Sequence, residues 1–495
     1  MSRKFLLALD QGTTGSTSLV LDLDLKVRGR AYREIPLSYP QPGWVSQDPE
    51  QIWALSLEAM RAALAQAGVE ASQLAALGLT NQRETTILWE RGSGRPVTEA
   101  VVWQCRRSAG IVEGWRPLEQ EIQERTGLIP DAYFSASKIR WLLENTEGLE
   151  ERCQRGDICF GTVDSWLLYR LTGGRVHAIE ASNASRTMLF NLTDMDWDSY
   201  LCRQFGIPEE ILPRVRPSDY HYGDTQPDLL GGAVPITGIA GDQQAALFGQ
   251  ACFAPGDVKN TYGTGCFIVM NTGRTPFTSR HRLLTTVAWQ LGDEPEYALE
   301  GSVFSAGSAV QWLRDGLGLI SSAAETEELA RSVPDTGGVF MVPAFNGLGA
   351  PYWDMYARAA VLGLTRGSSR AHLARAVLEA VAYQTRDVVE AMVMDSGREL
   401  GKLRADGGMA ANSFLLQFQA DILGVPVERP AITESTALGA AALAGLGAGV
   451  FADPDEVAAR RQVEATFAPR MGADERESRY REWTRAVARV RSGGA

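Results

Sequence analysis

A short apolar run that ends in a glycine turn and resumes as a second apolar run opens each half of the 495-residue chain. Phe5-Leu-Leu-Ala-Leu9 stops at Asp10, passes through Gln-Gly-Thr-Thr-Gly-Ser-Thr and continues as the alternating stretch Leu19-Val-Leu-Asp-Leu-Asp-Leu25. Val258-Lys-Asn-Thr-Tyr262 runs into Gly263-Thr-Gly265 and emerges as Cys266-Phe-Ile-Val-Met270. Each reads as strand, tight turn, strand. The chain is too long for one hydrophobic core, so the doubled hairpin predicts two domains, 1–252 and 253–495, divided where Ala-Pro-Gly-Asp punctuates residues 254–257.

Helical periodicity separates further strand runs. Asp48 is placed to cap a helix with Pro49 at its first position, and Ile52, Leu55, Ala59, Met60 and Ala63 line one face before Gly68. After Ser369, the residues Leu373, Ala376, Val377, Ala380, Val381, Val388 and Met392 form a stripe that stops at Gly397. Between such helices lie the apolar runs 74–79, 158–162, 236–240 and 338–342, an alternation that predicts the α/β class. From Asp453 onward the chain, rich in Arg and Glu, reads as amphipathic helix.

A net charge of −12 argues against nucleic acid and anionic membranes, both of which select basic surfaces, and points to a small-molecule substrate. Six cysteines, at 105, 153, 159, 202, 252 and 266, show neither a CxxC pair nor zinc spacing and read as reduced packing thiols. Asp10 interrupts the first apolar run too early for a signal peptide, and no stretch is long enough to span a membrane, so a cytoplasmic protein is expected.

Several strings carry chemistry. In Asp10-Gln-Gly-Thr-Thr-Gly15 an acid sits where a strand meets a glycine turn; such a loop is either an ordinary hairpin or a cradle for phosphate with the carboxylate near Mg²⁺. The second turn, Gly263-Thr-Gly265, favours the cradle, since two such loops across a cleft could hold a triphosphate. Asp242, in Ile239-Ala-Gly-Asp-Gln-Gln-Ala-Ala-Leu-Phe-Gly249, stands at a strand-to-helix junction, where it can cap the helix or face a cleft as a weak base. Phosphoryl transfer through a loose transition state needs no stronger one. Arg83 and Glu84 follow the run 74–79 and are either a solvated surface pair or joint contacts to one polyol; Trp103 is either core or ligand wall. Asp406-Gly-Gly-Met-Ala-Ala-Asn412 precedes a helix at 414–423 and is either a plain loop-to-helix turn or a place where the glycine pair lets a flat base or ribose approach the backbone. No P-loop, no G-x-G-x-x-G after a strand and no protein-kinase signature occurs.

These strings together resemble the glycerol kinases of the carbohydrate kinase family that shares its fold with actin and Hsp70. The resemblance runs to about residue 445 and is most specific in Thr80-Asn-Gln-Arg-Glu-Thr-Thr, Trp103-Gln-Cys-Arg-Arg, Asn183-Ala-Ser-Arg-Thr-Met-Leu-Phe, Gly241-Asp-Gln-Gln-Ala-Ala-Leu-Phe-Gly-Gln and Asn260-Thr-Tyr-Gly-Thr-Gly-Cys-Phe. Gly363-Leu-Thr-Arg-Gly through Tyr383-Gln-Thr is similar to the second signature of the wider family. The resemblance implies two actin-like, ribonuclease H-like domains, each a mixed sheet flanked by helices, with the active site in the cleft between them. It implies glycerol and ATP as substrates, Mg²⁺ near Asp10, and a homodimer or homotetramer. Asp242 would be the base, and glycerol would lie among Arg83, Glu84, Tyr133, Gln243 and the walls Trp103 and Phe267. ATP would contact Thr13, Thr14, Gly15, Thr264, Gly307, Gln311, Gly408 and Asn412.

The chain departs from the family pattern at Thr17, where an arginine that reaches the nucleotide phosphates is usual, so weaker nucleotide affinity or a substitute cation is expected. Gln226-Pro-Asp-Leu-Leu-Gly-Gly-Ala233 lacks both the basic loop that resembles a fructose 1,6-bisphosphate site and the histidine that a phosphocarrier protein modifies in some relatives; His221 is not that histidine. Insensitivity to both controls is expected. The competing readings are a kinase for another polyol or ketose, such as xylulose, ribulose or erythritol, and an actin-like or Hsp70-like ATPase switch with no small acceptor.

Overall fold

The computed structural model describes residues 3–492. Both hairpins form, and each becomes the centre of a mixed sheet. In the first sheet, strand Phe5–Gln11 pairs antiparallel with Gly15–Asp22 on one side and parallel with Leu74–Asn81 on the other. Val27–Glu34 extends one edge, and Pro235–Gly241 followed by the short Gly223–Asp224 extends the other. In the second, Val258–Tyr262 pairs antiparallel with Cys266–Gly273 and parallel with Leu403–Asp406. Glu294–Val303 and Leu284–Leu291 lie outside the hairpin, and Val427–Pro430 and Val463–Phe467 lie beyond the parallel strand. The same plan is therefore built twice.

Helix ends follow local chemistry. Asp48 accepts a hydrogen bond from the Glu50 amide and Gly68 closes helix Pro49–Ala67 in the left-handed conformation. Ser369 precedes helix Arg370–Ser396, its amide donating to His372 Nδ1, and Gly397 closes that helix in the left-handed conformation. Two expectations need correction. The alternating run read to Leu25 ends as a strand at Asp22, because Asp22 to Lys26 turns, and its neighbour Val27–Glu34 escapes pattern reading because its edge position exposes Arg28 and Arg30. The tail from Asp453 is not helical throughout: Val463–Phe467 pairs antiparallel with Val427–Pro430 between helices Pro454–Ala458 and Ala473–Ala488. Only one face of that edge strand is partly covered, so its charged residues mask the period of two.

Helix Ser435–Gly447 comes late in the chain yet lies on the first sheet. A Cβ on Gly78 would stand 2.1 Å from the Ala440 carbonyl oxygen, and one on Gly439 would stand 1.8 Å from that of Ala245. Glycine at these points is what lets helix, sheet and helix Asp242–Gly249 touch backbone to backbone. One apolar cluster consequently draws Leu6, Ala8 and Phe248 from the first half together with Val269, Ala298 and Ala441 from the second. All six cysteines are buried and unpaired. Among the described residues no helix is long and apolar enough to cross a membrane.

Candidate active site

Strand Leu74–Asn81 delivers Arg83 and Glu84 just past its carboxyl end, and Glu84 turns the chain with φ of 58°. Both side chains are only 2% exposed, which removes the solvated-pair reading. Arg83 Nε lies 3.2 Å from Asp242 Oδ1 and 3.9 Å from Glu84 Oε1. Its Nη1 and Nη2 reach the two carboxylate oxygens of Glu300 at 2.5 and 3.1 Å. Arg186 completes the group, donating from Nε to Glu84 at 2.6 Å and from Nη2 to Glu300 at 3.0 Å. Burial by itself would raise the Glu300 carboxyl, but Arg186 and Arg83 hold it down at about 2. At Glu84 burial prevails, and its carboxyl sits above the usual range despite the same two arginines.

Asp242 is the first residue of helix Asp242–Gly249, its Oδ1 accepting from the Gln243 amide, and its side chain keeps 27% of its exposure. It is the carboxylate of this cluster that remains open to solvent. Aromatic rings adjoin the cluster at Arg186, whose guanidinium lies 5.5 Å from the Tyr133 ring; Trp103 meets Tyr133 edge-on at 5.5 Å and Phe267 at 6.3 Å. Asp131 fixes the Tyr133 loop by accepting from the Tyr133 amide at 2.8 Å, and buried Lys138 donates to the carbonyls of Tyr133 and Phe134. Gln243 receives a hydrogen bond on Oε1 from buried Lys259. Arg83, Glu84, Trp103, Tyr133, Asp242, Gln243 and Phe267 are thus linked through direct or shared neighbours.

The glycine turns are tied by backbone. Gly12 N bonds Gly15 O at 2.8 Å, Gln47 binds the Thr13 carbonyl, and the Thr13 hydroxyl accepts from the Trp103 indole at 2.9 Å. Thr13 therefore joins the first turn to the aromatic wall, while Thr14 is exposed. In the second half Gly307 N bonds Gly263 O, and the amides of Ala306 and Ser308 both bond Thr264 O. A Cβ on Gly307 would lie 2.6 Å from Gly263 O, and one on Gly407 would lie 2.5 Å from Tyr262 O. Thr264, Gly307 and Gly408 thus belong to three loops that touch one another, and Gln311 ends the short helix that Gly307 begins. Asn412 caps helix Ser413–Leu423 through its oxygen and donates to Thr326, so its side chain is already engaged in holding the loop.

Asp10 is the penultimate residue of strand Phe5–Gln11 in the first sheet. Burial, then the nearby carboxylates Asp242 and Glu434, push its carboxyl up to about 7. Such a concentration of negative charge suits a divalent cation. Among the described residues, however, no three acidic, histidine or cysteine side chains converge closely enough to hold a metal by themselves. That donor set fits Mg²⁺, which keeps water and substrate phosphate in its shell and needs only one or two carboxylates.

Glu300, Lys259, Glu434 and Lys138 stand in no functional motif of the sequence, and Arg186 is marked only by the string Asn183-Ala-Ser-Arg-Thr-Met-Leu-Phe. The signal for Glu300 was a lone acid in the apolar run Tyr297-Ala-Leu-Glu-Gly-Ser-Val303, and for Lys259 a lone base beside Val258. Each is a charge that burial forces to find a partner.

Comparison with known proteins bears on this site. Residues 5–249 match the N-terminal domain, and residues 258–448 the C-terminal domain, of the FGGY family of carbohydrate kinases. The chain is 56% identical over 500 residues to a glycerol kinase of Symbiobacterium thermophilum, covering all of both chains. It is also 56% identical to glycerol kinase 2 of Thermotoga maritima, covering 98% of each. Its structure is similar to that of Plasmodium falciparum glycerol kinase with ADP, with a TM-score of 0.93 and 34% identity over 99% of this chain and 98% of that one. A ligand-bound xylulose kinase of Lactobacillus acidophilus shares the fold, at 21% identity and a TM-score of 0.88.

Proposed function

The chain belongs to the FGGY family of carbohydrate kinases, and we infer from that membership, and from the pocket around Asp242, that it phosphorylates glycerol with ATP. Full-length likeness to glycerol kinases supports the substrate pair. The observation that carries the mechanism is the single open carboxylate, Asp242, set 3.2 Å from the buried Arg83 guanidinium beside an aromatic wall.

In this reading Arg83 and Glu84 bind glycerol hydroxyls, while Trp103, Tyr133 and Phe267 close on the carbon edge and leave no room for a longer sugar. Asp242 accepts the proton of the attacking primary hydroxyl as the new oxygen–phosphorus bond forms. The bond from the γ-phosphorus to its bridging oxygen breaks in line, and ADP and sn-glycerol 3-phosphate result. Backbone amides of the Gly12–Gly15 and Gly263–Gly265 turns, with Thr13, Thr14 and Thr264, would meet the phosphates, and the loops at Gly307–Gln311 and Gly408–Asn412 the rest of the nucleotide. Asp10 is the residue we assign to Mg²⁺, which when bound neutralises charge on the phosphate oxygens. We place the protein in the cytoplasm, as a homodimer or homotetramer, which light scattering on the purified chain checks.

The test is ADP release with Mg-ATP, comparing glycerol with xylulose, erythritol and dihydroxyacetone, and the parent with Asp242→Asn. Glycerol-preferring turnover that vanishes in the variant is expected. Turnover favouring another acceptor would move the substrate, and ADP release independent of acceptor would overturn the kinase reading.

A further inference from the structure

Two buried charges under the acceptor pocket come from the half of the chain that carries the second set of phosphate loops. The register of the second sheet aligns Arg404, Lys259, Val269 and Glu300 across four adjacent strands. Two residues further along the same strands it aligns Asp406, Thr261, Phe267 and Ser302. Residues opposed in a ladder project from the same side, as do residues two apart. Lys259 and Glu300 therefore share the face that presents Phe267 to the pocket, and Val269 on that face packs against the first half. Neither side chain is exposed at all.

Their partners are acceptor residues. Glu300 grips Arg83 with both oxygens and Arg186 with one. Lys259 donates to Gln243 Oε1 and, at 2.9 Å, to Thr261. We propose that Glu300 and Lys259 are positioning residues for glycerol, supplied by the nucleotide half, which fix Arg83 and Gln243 in the orientation that binds hydroxyls. An ammonium has only hydrogens to give, so it can bind only the oxygen of the Gln243 amide; the NH₂ group is thereby turned away from Lys259, as a donor for substrate. A guanidinium has five hydrogens in a fixed fork. With Glu300 engaging Nη1 and Nη2 and Gln244 sharing Nη1, Nε is left 3.2 Å from Asp242. Without Glu300, two buried guanidiniums would have only Glu84 and Asp242 to balance them, and Arg83 would close onto the base. The acceptor site is then complete only when the two halves meet, which ties glycerol binding to the approach of the phosphate loops.

This inference rests on Arg83 and Gln243 contacting glycerol. It is tested by measuring KM for glycerol and KM for ATP separately in Glu300→Gln, Glu300→Asp and Lys259→Met, with Arg83→Lys beside them. Glu300→Asp keeps the charge that the fold needs but is one methylene too short to grip both arginines. The expected result is a rise of about tenfold or more in KM for glycerol with KM for ATP within about twofold, although both residues lie in the nucleotide half. A rise shared equally by the two constants, or a glycerol constant within about twofold of the parent's, would overturn the proposal. If Arg83→Lys raises the glycerol constant and the other variants do not, the acceptor reading survives and this inference fails; if Arg83→Lys has no effect, both fail.

Discussion

On the side we assign to the acceptor, Arg83, Glu84, Arg186 and Glu300 are buried and hold one another through charge-assisted contacts, whereas on the side we assign to the nucleotide, Thr14, Thr264, Gln311 and Gly408 stand exposed on loops tied by their own backbone. The difference follows from the ligands. Glycerol is small and uncharged and offers only hydroxyls, so a site that selects it must hold desolvated donors and acceptors rigidly before it arrives. A triphosphate brings its own charge and is met by amide groups, for which close backbone approach matters more than side-chain identity. Under the proposed assignment, specificity is invested in buried ion pairs on one side and in glycine geometry on the other.

The largest test of that contrast is Asp242→Asn. The amide preserves the shape of the pocket and its contact with the Gln243 backbone but cannot accept the proton, so kcat is expected to fall by about 10²- to 10⁴-fold. KM for glycerol should change little, because the ion pairs of Glu300 with Arg83 and Arg186 and of Glu84 with Arg186, on which the proposed acceptor site rests, remain. A loss expressed in the glycerol constant instead would make Asp242 a binding residue.

Burial on the acceptor side also predicts a pH dependence of stability. Glu180 lies beneath the base: it accepts from Ser182 and Ser218, and the Ser182 hydroxyl in turn accepts from the Gly241 amide. Burial, resisted by the hydrogen bonds of Ser182 and Ser218, raises its carboxyl from 4.5 to about 7. Between those values the native chain holds a proton that the unfolded chain has lost, so the contribution of Glu180 to stability falls as pH rises through the window and is flat above it. Glu300, lowered to about 2, has the opposite sign, its contribution growing as pH rises from about 2 to the ordinary carboxylate range. Glu180→Gln should match the parent near pH 5 and exceed it near pH 8 by on the order of 3 kcal/mol in denaturant titrations. Asp164 and Asp387, also raised, are common to both chains and cancel in the difference.

On the nucleotide side the corresponding test is geometric. Gly307→Ala puts a Cβ 2.6 Å from the Gly263 carbonyl oxygen and must separate two loops. KM for ATP is expected to rise about tenfold with KM for glycerol unchanged, the mirror image of the Glu300 variants.

The same contrast decides what could be read in the sequence. Hairpins, caps and glycine turns are local, so the doubled plan, the helix bounded by Asp48 and Gly68 and the loops at Gly12–Gly15 and Gly263–Gly265 were all legible. The open ends of the proposed acceptor site were legible too, because Arg83, Glu84 and Asp242 stand at strand ends where strings can be recognised. Glu300 and Lys259 were not, since a charge inside a strand acquires meaning only through the partner it meets across the chain, and Arg83 lies 217 residues from Glu300. Helix Ser435–Gly447 was hidden for a related reason: its run of alanines and glycines has no polar face to mark a period, because it is buried on all sides between the two halves.

Thr17 is where the two modes of construction meet, and it carries the smallest expected effect. It is paired directly with Asp10 across the first hairpin and is half-buried, so its side chain leaves from the same face as the acid assigned to Mg²⁺. An arginine there would stand beside Asp10 and its neighbours Asp242 and Glu434, adding positive charge where burial and mutual repulsion now hold the Asp10 carboxyl near 7. In Thr17→Arg, KM for ATP should fall about threefold to tenfold, a change worth on the order of 1 kcal/mol, while KM for glycerol stays put because the ion pairs we assign to the acceptor site are already closed among themselves. The gain should shrink as salt is raised, since a half-exposed charge is screened where the buried cluster is not. An unchanged ATP constant at low salt would mean that the phosphates are already balanced by a cation elsewhere in the chain, and the division between a charged acceptor pocket and a backbone-built nucleotide site would have to be redrawn.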